Sequence, residues 1–76
     1  MDTIIATIPK TKTEEIRLSL DKYNGRDVFG ARVWFESNEG DKRPGRSGIA
    51  FRVSLLPEFV GAVTKALDEA KKRGLL

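Results

Sequence analysis

The sequence predicts an α+β fold, a four-stranded antiparallel sheet followed by one C-terminal helix, in a single domain over residues 1–76. Three observations lead there. Apolar and polar residues alternate through the first two-thirds of the chain, as on half-covered strands. From Ser54 the apolar spacing changes to three and four residues, as along one face of a helix. A chain of 76 residues has room for one core only, and it buries about 60% of the surface its unfolded form exposes. Without Cys to form disulfides, such a chain needs an efficient core or a partner subunit, so a homodimer is expected.

The segment Ile4-Ile5-Ala6-Thr7-Ile8 is β-rich and stops at Pro9. Lys10–Thr13 is polar, a loop or a strand rim. Ile16-Arg17-Leu18-Ser19-Leu20 alternates strictly, turning Ile16, Leu18 and Leu20 to a core and Arg17 and Ser19 outward. Asn24-Gly25 is a strong hairpin-turn signal. A long strand follows from Arg26 to Glu36, with Phe29, Ala31 and Val33 on one face and Val28, Gly30, Arg32 and Trp34 on the other. Gly30 in mid-strand marks a bend, a bulge or a close backbone approach. Phe35 has the core parity, and a bulge at the strand end would re-aim it.

Gly45-Arg46-Ser47-Gly48 is best read as a tight turn, and Ile49–Val53 as a further strand. Leu56, Phe59, Val60, Val63, Ala66, Leu67 and Ala70 then form one helical stripe. The helix is expected over about 54–73, with Ser54 as N-cap, Pro57 in the first turn and Gly74 at the C′ position. Phe29, Phe51 and Phe59 are read as core. One helix cannot cover both faces of such a sheet, so the second face stays wet or binds something.

Composition excludes several classes of function. With 39% hydrophobic and 33% charged residues, the chain reads as soluble and globular. The absence of His removes the commonest general base and metal ligand, and the absence of Cys removes thiolate chemistry. The carboxylates are scattered and the serines have no base to activate them, so no enzyme and no cofactor or metal is expected. No apolar run approaches the roughly 20 residues that span a bilayer, and no leader pattern opens the chain. The expected location is therefore cytoplasmic (nucleoid-associated), or a host cytoplasm for a viral protein.

Lys and Arg total 14 against 11 Asp and Glu, a net charge of +3. Net charge is thus a weak pointer to nucleic acid, and what counts is whether folding gathers the cations on one surface. The outstanding constellation is basic and aromatic. Tyr23 and Arg26 flank the Asn-Gly turn, Arg32, Trp34 and Phe35 share the next strand, and Lys42, Arg43 and Arg46 surround Pro44-Gly45. Cations neutralise phosphates, while aromatic faces stack on unpaired bases whatever their identity. Each residue also has a plain structural role: Tyr23 can pack on a strand edge, Lys42 and Arg43 lie near Glu39 and Asp41, and one of Trp34 and Phe35 must face the core if the strand is regular.

The order Ile16-Arg17-Leu18-Ser19-Leu20, Tyr23-Asn24-Gly25-Arg26, Lys42-Arg43-Pro44-Gly45-Arg46-Ser47-Gly48-Ile49 and a final amphipathic helix resembles the single-stranded DNA-binding domain of the transcriptional positive cofactor 4 family. Ser54-Leu55-Leu56-Pro57-Glu58 looks like the helix start of its short prokaryotic or phage-type members. The resemblance implies a homodimer of curved sheets, assembled through helices and sheet, with basic and aromatic grooves for melted strands. It places Tyr23 as the first stacking ring and Phe35, or its neighbour Trp34, as the second. The family cations fall on Arg26, Arg32, Arg43 and Arg46, whereas a family Lys is replaced by Asn24. The acidic, Ser-rich tail of eukaryotic members has no counterpart.

The expected function is binding of single-stranded DNA with little sequence preference, as a coactivator-like or DNA-maintenance factor. Tyr23, Arg26, Arg32, Trp34, Phe35, Lys42, Arg43 and Arg46 are the candidate contacts, and Leu56, Phe59, Val60, Val63 and Leu67 the candidate dimer face. The alternatives are a protein-interaction adaptor of the transcription machinery and a binder of single-stranded RNA.

Overall fold

The computed structural model describes residues 3–76. Four strands, β1 (Thr3–Pro9), β2 (Glu14–Tyr23), β3 (Arg26–Glu36) and β4 (Lys42–Arg52), are followed by a 3₁₀ turn at Val53–Leu55 and a helix, α1 (Leu56–Lys72). The sheet is an antiparallel meander in the order β1-β2-β3-β4. The predicted architecture is present.

The β2–β3 hairpin fixes the register. Asn24 and Gly25 both have positive φ, 51° and 77°, the combination a two-residue type I′ turn requires. Tyr23 then pairs with Arg26, Arg17 with Arg32, and Glu14 with Phe35, with no slip. Period 2 sorts the side chains from there. Ile16, Leu18 and Leu20 share a face with their partners Val33, Ala31 and Phe29, and β4 adds Ile49 and Phe51 to it. The other face carries Arg17, Ser19, Val28, Gly30, Arg32 and Trp34.

The helix lies on the first of these faces. Phe59 meets Phe51 and Phe29 at ring-centroid distances of 5.1 and 6.3 Å, and Phe29 meets Phe51 at 5.2 Å. These tilted rings are the centre of the core, and Phe29 is its one buried hydrophobic among the described residues. Beyond its first turns α1 leaves the sheet: Val60, Val63 and Leu67 are 55%, 50% and 45% exposed. The helix ends on a Schellman motif, in which Gly74 (φ 75°) donates to the Lys71 carbonyl and Leu75 to that of Ala70.

Two local expectations are corrected. Ser54 does not cap the helix. It lies within the 3₁₀ turn, the N-cap is Leu55, and no side chain supplies a cap bond. Helix α1 is correspondingly shorter than 54–73, with Pro57 in its first turn because that amide needs no intrahelical partner. Nor is Gly45–Gly48 a tight turn. It belongs to β4, where Trp34 pairs with Pro44 and Arg32 with Gly48, so that three residues, Gly45 to Ser47, stand opposite Val33 alone. The result is an extended bulge on an edge strand, where Pro44 costs no ladder bond.

Candidate nucleic-acid interface

The face that α1 leaves open is not flat. Along its middle the side chains are short: Gly30 sits between Ser19 and Ala50 in the cross-strand row. A Cβ on Gly30 would lie 3.1 Å from Ser19 Oγ, so this glycine serves a close approach. Longer side chains stand around these small ones. The outcome is a cleft of about 280 Å³, lined among others by Arg17, Asp21, Arg32, Trp34 and Pro44.

Arg17 and Arg32 are direct cross-strand partners on this face. Like charges so placed repel and weaken a sheet unless an anion lies between or beside them. Arg17 has one: its Nε donates to Glu15 Oε2 at 2.5 Å. Arg32 is exposed and forms no ion pair among the described residues. The Arg17 guanidinium also lies 4.1 Å from the centroid of the Trp34 ring, a cation–π contact. The Lys42 ammonium stands 3.7 Å from Glu15 Oε1 and donates to the Thr13 carbonyl at 3.4 Å. The Arg17 hydrogen bond, helped by the charges of Arg17 and Lys42 against the opposing cost of burial, holds the Glu15 carboxyl below the usual carboxylate range.

At the hairpin end the same face bears a second concavity, lined by Tyr23, Arg26, Val28 and Arg52 among others. Tyr23 is 70% exposed, so its ring is free to stack. Arg26 and Arg52 form no ion pair among the described residues.

The predicted contacts therefore divide. Tyr23, Arg26, Arg32, Trp34 and Lys42 share one face of the sheet, and Arg46 is exposed on the β4 bulge beside it. Phe35 and Arg43 pair with each other on the opposite face. The irregularity falls on β4, so β3 stays regular through Phe35 and its ring keeps the core parity, 40% exposed. Arg43 is further engaged with Glu39 at 3.7 Å and Asp41 at 4.0 Å. Sequence reasoning left out Arg17 and Arg52. The signal for Arg17 was present: a two-residue turn at Asn24-Gly25 fixes the register that sets Arg17 opposite Arg32.

Of the proposed dimer face, Phe59 is spent partly on the chain's own core and Leu56 is half-buried, while Val60, Val63 and Leu67 point to solvent.

A four-stranded antiparallel meander with one C-terminal helix, its uncovered face built as a basic and aromatic cleft, defines a small sheet-surface binding domain. Comparison with known proteins gives the class a family. The sequence profile of Transcriptional Coactivator p15 (PC4) matches residues 10–62, most of the chain, and the chain belongs to that family. Among solved structures it is similar to BPSL1147, a PC4 homolog from Burkholderia pseudomallei, at 32% identity and TM-score 0.79, over 86% of this chain and 88% of that one. It is also similar to the bacteriophage T5 homolog of PC4, described as implicated in recombination-dependent DNA replication. That match has 25% identity and TM-score 0.73, covering 92% and 81% of the two chains. The MoSub1–DNA complex shares the fold, at 22% identity and TM-score 0.64 over 91% and 84%. No curated protein matches.

Proposed function

We propose that this chain binds single-stranded DNA with little sequence preference, as a homodimer, and acts on melted DNA as a coactivator-like or DNA-maintenance factor. One observation carries the reading: Arg17 and Arg32 face each other across β2 and β3 beside Trp34, in a cleft on the face the helix leaves open. The Arg32 guanidinium, without an ion pair among the described residues and set against a second guanidinium, is a phosphate site, and the ring beside it offers a stacking surface. Tyr23, Arg26 and Arg52 continue the same chemistry along the sheet. Stacking on exposed rings requires bases that are not already paired, which favours single strands over duplex. The DNA-bound relative MoSub1 and the replication role ascribed to the phage T5 homolog support the same direction.

The role is binding rather than turnover, because with no His or Cys the cleft has no side chain whose ordinary pKa lies near neutrality. The place of action is wherever single-stranded DNA arises, the bacterial cytoplasm and nucleoid or an infected host cell.

Dimer formation is argued from what one chain leaves uncovered. Val60, Val63 and Leu67 on α1, with Ile8 and Ile49 (48% and 49% exposed) on the same face of the sheet, are apolar and unpartnered in one chain. A second copy supplies the missing cover through a self-complementary contact.

The test is binding of a labelled oligothymidine across a salt series. Affinity should fall with a log–log slope of about −0.7 per phosphate neutralised. Arg32→Ala and Arg46→Ala should each flatten that slope by about 0.7. Binding insensitive to salt and to both substitutions would refute the cleft as the site. A matched RNA oligomer as competitor decides between DNA and RNA, since RNA is discriminated through its 2′-hydroxyl.

A further inference from the structure

Arg17 differs from Arg26, Arg32 and Arg52 in already having an anion. Its guanidinium is fixed from two sides, by the Trp34 ring at 4.1 Å and by Glu15 at 2.5 Å. The second oxygen of the same carboxylate is turned to Lys42 at 3.7 Å. This cluster is more sheltered than an ordinary surface pair, with side-chain exposures of 18% for Glu15, 24% for Arg17 and 31% for Lys42.

A carboxylate with one oxygen on a guanidinium and the other near an ammonium is arranged much as a backbone phosphate would be, because Arg takes either anion through the same planar fork. The carboxylate also sits next to the Arg17–Arg32 repulsion that an incoming phosphate would relieve. Resting on the nucleic-acid reading of the cleft and deepening it, we infer that Arg17 is a further phosphate-contacting residue, and that Glu15 sets the affinity by occupying in the free protein the place a phosphate takes in the complex.

In that arrangement each binding event exchanges one anion for another at Arg17 and Lys42. The free protein keeps two of its cations bridged by a single carboxylate, and the polynucleotide must displace Glu15 to reach them. Removing the negative charge of Glu15 while keeping its shape therefore tightens binding. A carboxylate that merely braces the sheet gives the opposite result, because its loss loosens Arg17 and the Trp34 contact.

The full chain is titrated with labelled oligothymidine over a range of salt, as wild type, Glu15→Gln, Arg17→Ala and the double variant. Glu58→Gln serves as a control for the same charge change on α1, far along the chain from the cleft. Glu15→Gln should bind about three- to tenfold more tightly at low salt, with the log–log slope of wild type kept, because the same phosphates are neutralised in the complex. Glu58→Gln should stay within about twofold, as expected for a screened remote charge. Arg17→Ala alone should flatten the slope by about 0.7, and it should abolish most of the gain from Glu15→Gln in the double variant.

Weaker or unchanged binding by Glu15→Gln overturns the inference, as does an equal gain from Glu58→Gln or a full gain without Arg17. An unchanged slope in Arg17→Ala overturns it even if the Glu15 variant folds poorly. Wild-type binding with these responses absent sinks this assignment alone, whereas no wild-type binding at all sinks the functional reading along with it.

Discussion

Trp34 is the chain's one indole, and it lies in the cleft under a guanidinium. A base that joins or displaces that stack alters the surroundings of the ring, so Trp34 emission should be quenched as oligothymidine is added. Trp34→Ala should weaken binding by about 1–3 kcal/mol, the loss of one stacked base, while Phe35→Ala, on the opposite face, should weaken it far less. An equal loss in the two variants would mean that DNA reaches both faces.

Glu15 gives a pH-dependent prediction. Its folded pKa is lowered, first by the Arg17 hydrogen bond. The stability it contributes is therefore present above the unfolded pKa and is lost as pH falls through the lower folded value. Wild type should melt above Glu15→Gln at neutral pH, and the gap should close on acidification. The same residue explains why part of the site was hidden in the sequence. Arg17 alternates outward and is easily taken as a solvated strand residue. Its importance comes from a partner fifteen positions away and from which face the helix leaves bare, and only the folded register supplies both.

At the scale of the element, β4 is where local reading and structure part. Pro44-Gly45 and Gly48 carry turn chemistry, yet the segment remains in the ladder because its extra residues are absorbed against Val33. The glycines make that approach feasible. A Cβ on Gly48 would lie 2.6 Å from the Ala31 carbonyl oxygen and 2.9 Å from Arg32 Cα, and one on Gly45 would lie 2.9 Å from the Val33 oxygen. Gly48→Ala should cost about 1–3 kcal/mol in denaturant unfolding, the usual range for overpacking, and should disturb Arg32 with it.

Helix α1 offers the opposite case. A Cβ on Gly61 would meet nothing within 4 Å, and the position lies off the apolar stripe. Gly61→Ala should therefore stabilise the helix by up to about 1 kcal/mol, seen as a rise of about 4–8 °C in Tm. The strands and the helix were legible because their periods are strong and the Asn-Gly turn fixes its own geometry. The bulge was not legible, because its cause is a long-range pairing to β3.

The whole molecule is more extended than its size requires. Its Cα radius of gyration is 14.5 Å, with extents of 41 × 35 × 18 Å, against about 11 Å for a compact chain of this length. The excess belongs to a helix that touches the sheet through its first turns and then continues with its apolar stripe bare. If that stripe is covered by a second copy, the melting midpoint should rise with protein concentration. Val63→Asp should then halve the mass measured in solution and sharply lower Tm, while a concentration-independent midpoint would speak for a stable single chain. The expectation of a partner came from the chain length, but which residues would meet one depends on how little of α1 the sheet engages.

The opposed guanidiniums on β2 and β3 bear on how the protein behaves at the bench. An unliganded molecule in which Arg32, Arg26 and Arg52 have no ion pair among the described residues should scavenge whatever polyphosphate a cell extract offers. Purified material should therefore show a raised 260 to 280 nm absorbance ratio until washed in strong salt, and stripping the contaminant should leave a less heat-resistant protein than the one first isolated.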